Sequence, residues 1–161
     1  MKVARLTISD RASAGQYSDE SGPEIERVLQ EELSEPLEFE RMLVPDESPL
    51  IFRALIRLSD ELDCALIVTT GGTGISPRDV TPEATRLVIE KELPGFGELM
   101  RQRSFQHTPT APLSRALAGV RGRSLIINLP GKPKAVRECL SGLGPALREA
   151  VRHLSGDLSH G

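Results

Sequence analysis

The sequence predicts a three-layer α/β/α domain with a mostly parallel sheet and one antiparallel edge strand. Three observations carry that expectation. Short apolar segments alternate with longer segments whose apolar residues recur at helical spacing. Two strand–helix units followed by another strand and helix argue for parallel strands with helices on both faces. Residues 116–128 then read as a strand, a glycine-containing tight turn and a returning strand, which adds one antiparallel member. At 161 residues, with no internal repeat and no linker, the expectation is a single domain over 1–161.

The elements follow in order. Residues 3–8 form a first strand, and Ser9 to Gly15 a polar loop. Ser21, Gly22, Pro23 and Glu24 suggest a capping box with proline in the first turn. Ile25, Val28, Leu29 and Leu33 then share one helical face. Residues 39–44 form a second strand, ending at Pro45-Asp46-Glu47. Ser48-Pro49 opens a second helix with Ile51, Ala54, Leu55, Leu58 and Leu62 as its apolar stripe. A third strand over 64–68 follows. The next helix carries Ala84, Leu87, Val88 and Leu93 and stops before Pro94. A short helix over 96–105 precedes the hairpin. Lys132-Pro133 opens a helix with Val136, Cys139 and Leu140 inward. Gly142, Gly144 and Pro145 separate it from a last helix carrying Leu147, Val151 and Leu154. The tail from 155 to 161 is polar and expected to fray.

The chain is organised around residues 69–85, TTGGTGISPRDVTPEAT. A buried strand leads in, and Gly71, Gly72 and Gly74 end it. Arg78 and Asp79 form a charged tip. Thr81-Pro82-Glu83 reads as a helix start, with Thr as N-cap and Pro at the first helical position. Free backbone N–H groups at such a junction suit an anion, most often a phosphate. The run is not a P-loop, because no Gly-Lys-Ser/Thr follows Gly74. Nor is it a dinucleotide fingerprint, because Pro77 stands where the third glycine belongs.

Composition closes other routes. A net charge of −3 gives no basic field for nucleic acid. Four Phe, one Tyr and no Trp leave no series of base-stacking platforms. No apolar run is long enough to span a membrane. Met1-Lys2 runs straight into a strand, leaving no room for a signal peptide. Cys64 and Cys139 sit among apolar residues and read as core residues of a reduced, cytoplasmic protein. His107, His153 and His160 share no metal-ligand spacing.

Asp46 and Asp79 both follow strands of a parallel sheet, so both belong to the edge where open α/β sheets bind ligands. Two carboxylates there can share a magnesium ion and position phosphates. Equally, each can be a surface loop acid or a helix cap. Ser114 before Arg115 is by pattern a turn or cap residue and no hydrolase nucleophile, since no G-x-S-x-G surrounds it. Asn128-Leu129-Pro130-Gly131 is a strand-to-helix turn on the same edge. Ser9, Asp10 and Arg11 end the first strand there and are candidates for nucleotide or phosphate contact. Arg78 is a phosphate partner or a solvated loop cation.

The string GGTGISPRDVTPEAT resembles the pterin-binding signature of the molybdopterin adenylyltransferase family. Five further stretches match in the same order: ISDRASAG at 8–15, VPDE at 44–47, PGFGELMR at 94–101, LSRALAG at 113–119 and LIINLPGKPKAVRECL at 125–140. The resemblance runs from Val3 to about Leu154. It implies adenylyl transfer from ATP to the terminal phosphate of molybdopterin, with magnesium, in molybdenum cofactor biosynthesis. It implies Asp46 and Asp79 as catalytic carboxylates, Asp46 also as metal ligand. Gly71, Gly72, Thr73, Gly74, Ser114, Pro130 and Gly131 become substrate-binding positions, with Ser9 and Asp10 on the nucleotide side. A homotrimer and contact with the downstream metal-insertion enzyme follow from the same likeness. The rival readings are a weakly catalytic paralogue that carries molybdopterin, the related domain of the metal-inserting enzyme, and an unrelated nucleotide-dependent oxidoreductase. The second needs more domains than 161 residues hold, and the third lacks the dinucleotide fingerprint.

Overall fold

The computed structural model describes residues 1–157. Six strands form one sheet in the order β2-β1-β3-β6-β5-β4. They are β1 (Lys2–Ile8), β2 (Glu38–Val44), β3 (Leu66–Thr70), β4 (Lys91–Glu92), β5 (Ala118–Arg121) and β6 (Ser124–Leu129). Strands β2, β1, β3 and β6 are parallel. β5 runs against β6 and is the expected antiparallel member, with Gly122 turning the hairpin at φ +53°. The two-residue β4 pairs outside it, antiparallel to β5.

The apolar runs of β3 and β6 are continuous because both faces of these strands are covered. Leu66, Val68, Leu125, Ile127 and Leu129 point to one side, where α2 (Ser21–Leu33), α6 (Pro133–Leu140) and α7 (Gly144–Leu154) supply Ile25, Leu29, Val136 and Leu147. Ile67 and Ile126 point to the other, against Ile51, Leu55 and Leu58 of α3 (Ser48–Ile56) and its π-helical continuation Arg57–Glu61, and Ala84 and Val88 of α4 (Thr81–Val88). Complete burial of each such Leu or Ile contributes about 1.5–3 kcal/mol before entropy is counted.

Several local expectations change. The loop after β1 contains a four-residue helix, α1 (Asp10–Ser13), capped by Ser9 Oγ, which accepts from Ala12 N at 3.1 Å. The capping box at Ser21 does not form. Ser21 lies inside α2, and Asp19 Oδ1 accepts from Gly22 N instead, at 2.9 Å. α4 stops at Val88 and does not run on to Pro94. Glu90 N and Leu93 N donate to Val120 O and Ala118 O, so the sheet takes the backbone that the helix would have used. Leu87 is 70% exposed although it sits at a helical apolar position. The third strand starts at Leu66, since Cys64 N and O bond to Leu58 O and Ser124 Oγ outside the ladder. The short helix becomes α5 (Pro94–Phe105). α7 carries Leu147 into the core, with Val151 half-buried. In the tail, Ser155 N donates to Val151 O and Gly156 N to His153 O. Residues 158–161 of the expected frayed tail, with His160, lie outside the described residues.

Candidate functional site

After β1 the chain moves out to β2, then crosses back to β3 on the other side of β1. α2 follows β1 on one face and α3 follows β2 on the other. The connections therefore part between β1 and β3, and a crevice opens at their C-terminal ends.

The loops after β1 and β2 are tied to each other. Asp10 N donates to Asp46 Oδ2 at 2.9 Å, and Asp46 N donates to Asp10 Oδ1 at 3.0 Å. Arg78 reaches from the glycine loop and grips Asp10 with two bonds, Nε to Oδ2 at 3.0 Å and Nη2 to Oδ1 at 2.9 Å. Arg78 thus pairs with a carboxylate of its own chain, and its partner is Asp10 and not the adjacent Asp79. That guanidinium, with the Asp46 amide, holds the Asp10 carboxyl below its ordinary value of 3.8. Asp46 goes the other way. Burial raises it above 3.8, and the negative charges of Asp10 and Asp79 add to the rise against the Asp10 amide.

The glycine loop is held from several sides. Gly71 N donates to Leu129 O, and Thr81 N to Gly72 O. Thr81 does not act as an acceptor cap; its Oγ1 donates to Gly71 O at 2.9 Å. Thr85 Oγ1 donates to Thr81 O, and the buried Asn128 Nδ2 donates to Thr85 Oγ1 and Thr69 Oγ1. Arg115 closes the far side, with Nε on Gly74 O at 2.8 Å, Nη2 on Asp79 O at 2.9 Å and Nη1 on Glu83. Gly71 and Gly72 have φ of +101° and +69°. A Cβ at Gly71 would lie 2.2 Å from Ile8 O. At Gly72 it would lie 2.3 Å from Thr81 Oγ1 and 2.9 Å from Asp46 Oδ1. At the tip, Asp79 Oδ2 accepts from Ser76 N at 3.0 Å.

Two lobes meet over this loop. The first, about 470 Å³, has Ser9, Asp10, Asp46 and Gly71 in its wall, together with Tyr17 and Asp19. The second, about 390 Å³, has Thr73, Gly74, Ser114 and Pro130, together with Ser104 and Thr108. Gly72, Asp79, Gly131 and Lys132 line both. Each carboxylate, substrate-side and nucleotide-side candidate from the sequence lines one lobe or the other, whereas Arg78 lines neither. The candidates divide, with Gly71 on the side of Ser9, Asp10 and Asp46.

Sequence reasoning missed the supports. Tyr17 OH shares a 2.7 Å hydrogen bond with Ser9 Oγ, and the Arg11 guanidinium lies 5.4 Å from its ring centre. Asp19 Oδ2 accepts from Thr7 Oγ1 at 2.8 Å and Arg5 Nη1 at 3.0 Å. By pattern Lys132 is only a helix opener. Its place directly after the Pro130-Gly131 turn was the available signal.

Among the described residues no group of three His, Cys, Asp or Glu side chains is arranged to hold a metal. Magnesium asks for less, since one or two carboxylates suffice when phosphates and water fill the remaining positions. Asp46 meets that requirement, with Oδ2 engaged by the Asp10 amide and Oδ1 beside Gly72.

Fold and cleft define an open α/β protein with a two-lobed cleft at a topological switch point, the place where such folds bind ligands. Residues 4–149 match the family model described as "Probable molybdopterin binding domain", and the chain belongs to that family. It is 56% identical over 155 residues to a molybdopterin adenylyltransferase of Helicobacter pylori strain J99, covering 96% of this chain and 88% of that one. It is 47% identical over 153 residues to a molybdopterin adenylyltransferase of Escherichia coli K12, covering 95% and 78%. The solved structure of the molybdopterin biosynthesis enzyme MoaB from Thermus thermophilus superposes with a TM-score of 0.88 at 46% identity, covering 96% of each chain.

Proposed function

We propose that this chain is a molybdopterin adenylyltransferase of molybdenum cofactor biosynthesis, carried by a single domain over 1–161. It transfers AMP from ATP to the terminal phosphate of molybdopterin, giving adenylyl-molybdopterin and pyrophosphate. The observation that carries this reading is the pair of lobes sharing Gly72, Asp79, Gly131 and Lys132. A reaction between two bound substrates gains most from holding them end to end. ATP takes the lobe of Ser9, Asp10 and Asp46. The pterin takes the lobe of Thr73, Gly74, Ser114 and Pro130. The phosphates meet over Gly71, Gly72 and Gly131.

An oxygen of the molybdopterin phosphate attacks the α-phosphorus, the bond from that phosphorus to the bridging oxygen breaks, and pyrophosphate leaves. No covalent bond to the protein is needed. The backbone of the glycine loop fixes the line of attack. Lys132 supplies positive charge where the two phosphate groups meet. Asp46 would hold magnesium, which when bound neutralises phosphate charge in the transition state. Asp79 stands at the shared wall, where with Asp46 it could share that magnesium ion and so position the phosphates.

The protein works in the cytoplasm as a homotrimer and hands its product to the metal-insertion enzyme that follows. Ile75, Leu87 and Leu113 are exposed apolar side chains of the kind that such an assembly covers. No helix among the described residues is long and apolar enough to cross a membrane. Neither nucleic acid nor membrane is a partner in this reading. The test is incubation with ATP, magnesium and molybdopterin, followed by mass detection of adenylylated pterin. Product and pyrophosphate in equal amounts support the enzyme. Bound pterin without pyrophosphate release leaves a molybdopterin carrier.

A further inference from the structure

Behind the second lobe, α6 presents a carboxylate that the reaction above does not use. The Glu138 side chain is 9% exposed. Its Oε2 accepts from Ser104 Oγ at 3.0 Å and from Thr108 Oγ1 at 3.3 Å. Its Oε1 is buried with no hydrogen-bond partner, and Lys134 Nζ stands 3.9 Å away across the helix surface. Ser104 and Thr108 line the lobe; Glu138 does not. A cavity of about 20 Å³, large enough for one water, connects the neighbourhoods of Ser104 and Ser114.

The chemistry of a hydroxyl decides what the lobe offers. Each hydroxyl has one hydrogen, and an ionised carboxylate can only accept. Ser104 and Thr108 therefore spend their hydrogens on Oε2, and only lone pairs remain for a ligand. Ser114 is the reverse case. Its Oγ accepts from Ala116 N at 3.3 Å, so its hydrogen is free to donate. Pinning α5 to α6 does not require a buried charge, because Met100 and Cys139 already pack there in the main core. A carboxylate this buried is costly unless its bonds are needed.

We propose that Glu138 is a positioning residue that commits Ser104 and Thr108 to accept N–H donors from the bound heterocycle. The lobe then selects an edge carrying an amino group and a ring N–H, the 2-amino-4-oxo edge of a pterin. It rejects the matching lumazine, in which an oxo group replaces the amino group and presents lone pair to lone pair. This inference rests on the assignment of the pterin to the second lobe.

Calorimetric titration of the full chain with pterin-6-carboxylate and lumazine-6-carboxylate tests it. The wild type should prefer the pterin by about tenfold or more, the value of one net hydrogen bond to a buried acceptor. In Glu138→Leu both hydroxyls can turn and donate, so the ratio should fall to within about twofold. Ser104→Ala should lower the ratio with the carboxylate in place, and it serves if Glu138→Leu does not fold. Thermal unfolding and ATP affinity on the same samples separate lost structure from lost selectivity. A folded Glu138→Leu protein that keeps the wild-type ratio overturns the proposal, as does a wild type with no preference. If adenylyl transfer to molybdopterin persists in either case, only this inference fails. If the wild type neither binds pterin nor makes the adenylylated product, the pterin assignment fails with it.

Discussion

The two lobes of the cleft are built by different means. In the first, the loops after β1 and β2 are locked by charge: Asp10 against Arg78, Asp46 against the Asp10 amide, Asp19 against Arg5. In the second, the walls are backbone and hydroxyl, held by Arg115 on Gly74 O and Asp79 O and by Glu138 on Ser104 and Thr108. The contrast suits a ligand with a polyphosphate at one end and a neutral heterocycle at the other. A lobe shaped by ion pairs should respond to charge and pH. A lobe shaped by hydroxyls and close backbone should respond to hydrogen-bond deletions.

Asp79 belongs to both lobes, so its loss should cost most. Asp79→Asn keeps an oxygen that can accept from Ser76 N, which preserves the loop tip. Adenylyl transfer should nonetheless slow by about 10²–10³, the usual effect of removing a preorganised charged group. Single-turnover assays beside thermal unfolding check this. Near-normal turnover in the folded variant would take Asp79 out of the reaction.

The next pair of variants divides the lobes. Asp46→Ala should keep molybdopterin binding, because the glycine loop and Ser114 are untouched. It should lose the response of turnover to magnesium, since a carboxylate is the ligand type that this hard cation prefers. Ser114→Ala should weaken pterin binding by about five- to tenfold, the value of one hydrogen bond, with less effect at saturation. Calorimetry with molybdopterin and a magnesium series in single turnover tell them apart. Loss of pterin binding in Asp46→Ala with an intact magnesium response would exchange the sides.

Much of this division was legible in the sequence, and the illegible part has a physical cause. The apolar run before the glycine loop marks β3 as a buried strand, and the glycine turn between 116 and 128 marks β5 and β6 as a hairpin. A parallel sheet then put Asp10, Asp46 and Asp79 on one edge without any knowledge of their contacts. The supports could not be read, because Arg115, Asp19 and Glu138 act on partners distant in sequence. Asn128, the hub beneath the glycine loop, is only a strand residue by pattern. Leu87 shows the same limit from the other side. Helical spacing says which residues share a face, not whether anything within the chain covers that face. The end of α4 was misjudged because sheet pairing to β5 competes for residues 90–93.

A smaller effect separates the two acids of the first lobe. The folded-state pKa of Asp10 is lowered, so its stabilisation is present above its unfolded value of 3.8 and is lost as pH falls through the folded value. The folded-state pKa of Asp46 is raised, so a cost to stability builds as pH rises above 3.8 and is complete once pH passes the folded value. Asp46→Asn should therefore unfold at a higher temperature than wild type at neutral pH. That advantage should vanish below pH 3.8, where Asp46 is protonated in both states. Asp10→Asn should be destabilised at neutral pH and should approach wild type under acid. Thermal unfolding from pH 3 to 8 measures both trends. Parallel curves for the two variants would mean that the Asp10–Asp46 linkage does not set the charge state of this lobe.

The smallest effects belong to the two thiols, and their positions make them a control on the whole comparison. Cys64 lies before β3, at the end of the sheet away from the cleft, packed with Leu58 and Ile67. Cys139 lies on α6 behind the second lobe and borders the small cavity beside Ser104 and Ser114. Burial pushes both thiols up, Cys64 to about 11 and Cys139 to about 12, so neither is a thiolate at neutral pH and neither is a ready nucleophile. Truncation to alanine removes a small packed atom in each case. The expected cost is about 1 kcal/mol of stability each, with turnover at moderate temperature within about twofold of wild type. The difference between them is the informative quantity. Cys139→Ala enlarges a space next to Ser104, so any change in pterin affinity should appear there and not in Cys64→Ala. ATP affinity should move in neither. Unfolding temperature, turnover and pterin titration on both variants decide the matter. A large loss of turnover at unchanged stability, in either protein, would show that the thiol acts in the chemistry and that the cleft has a reactive group outside its two lobes.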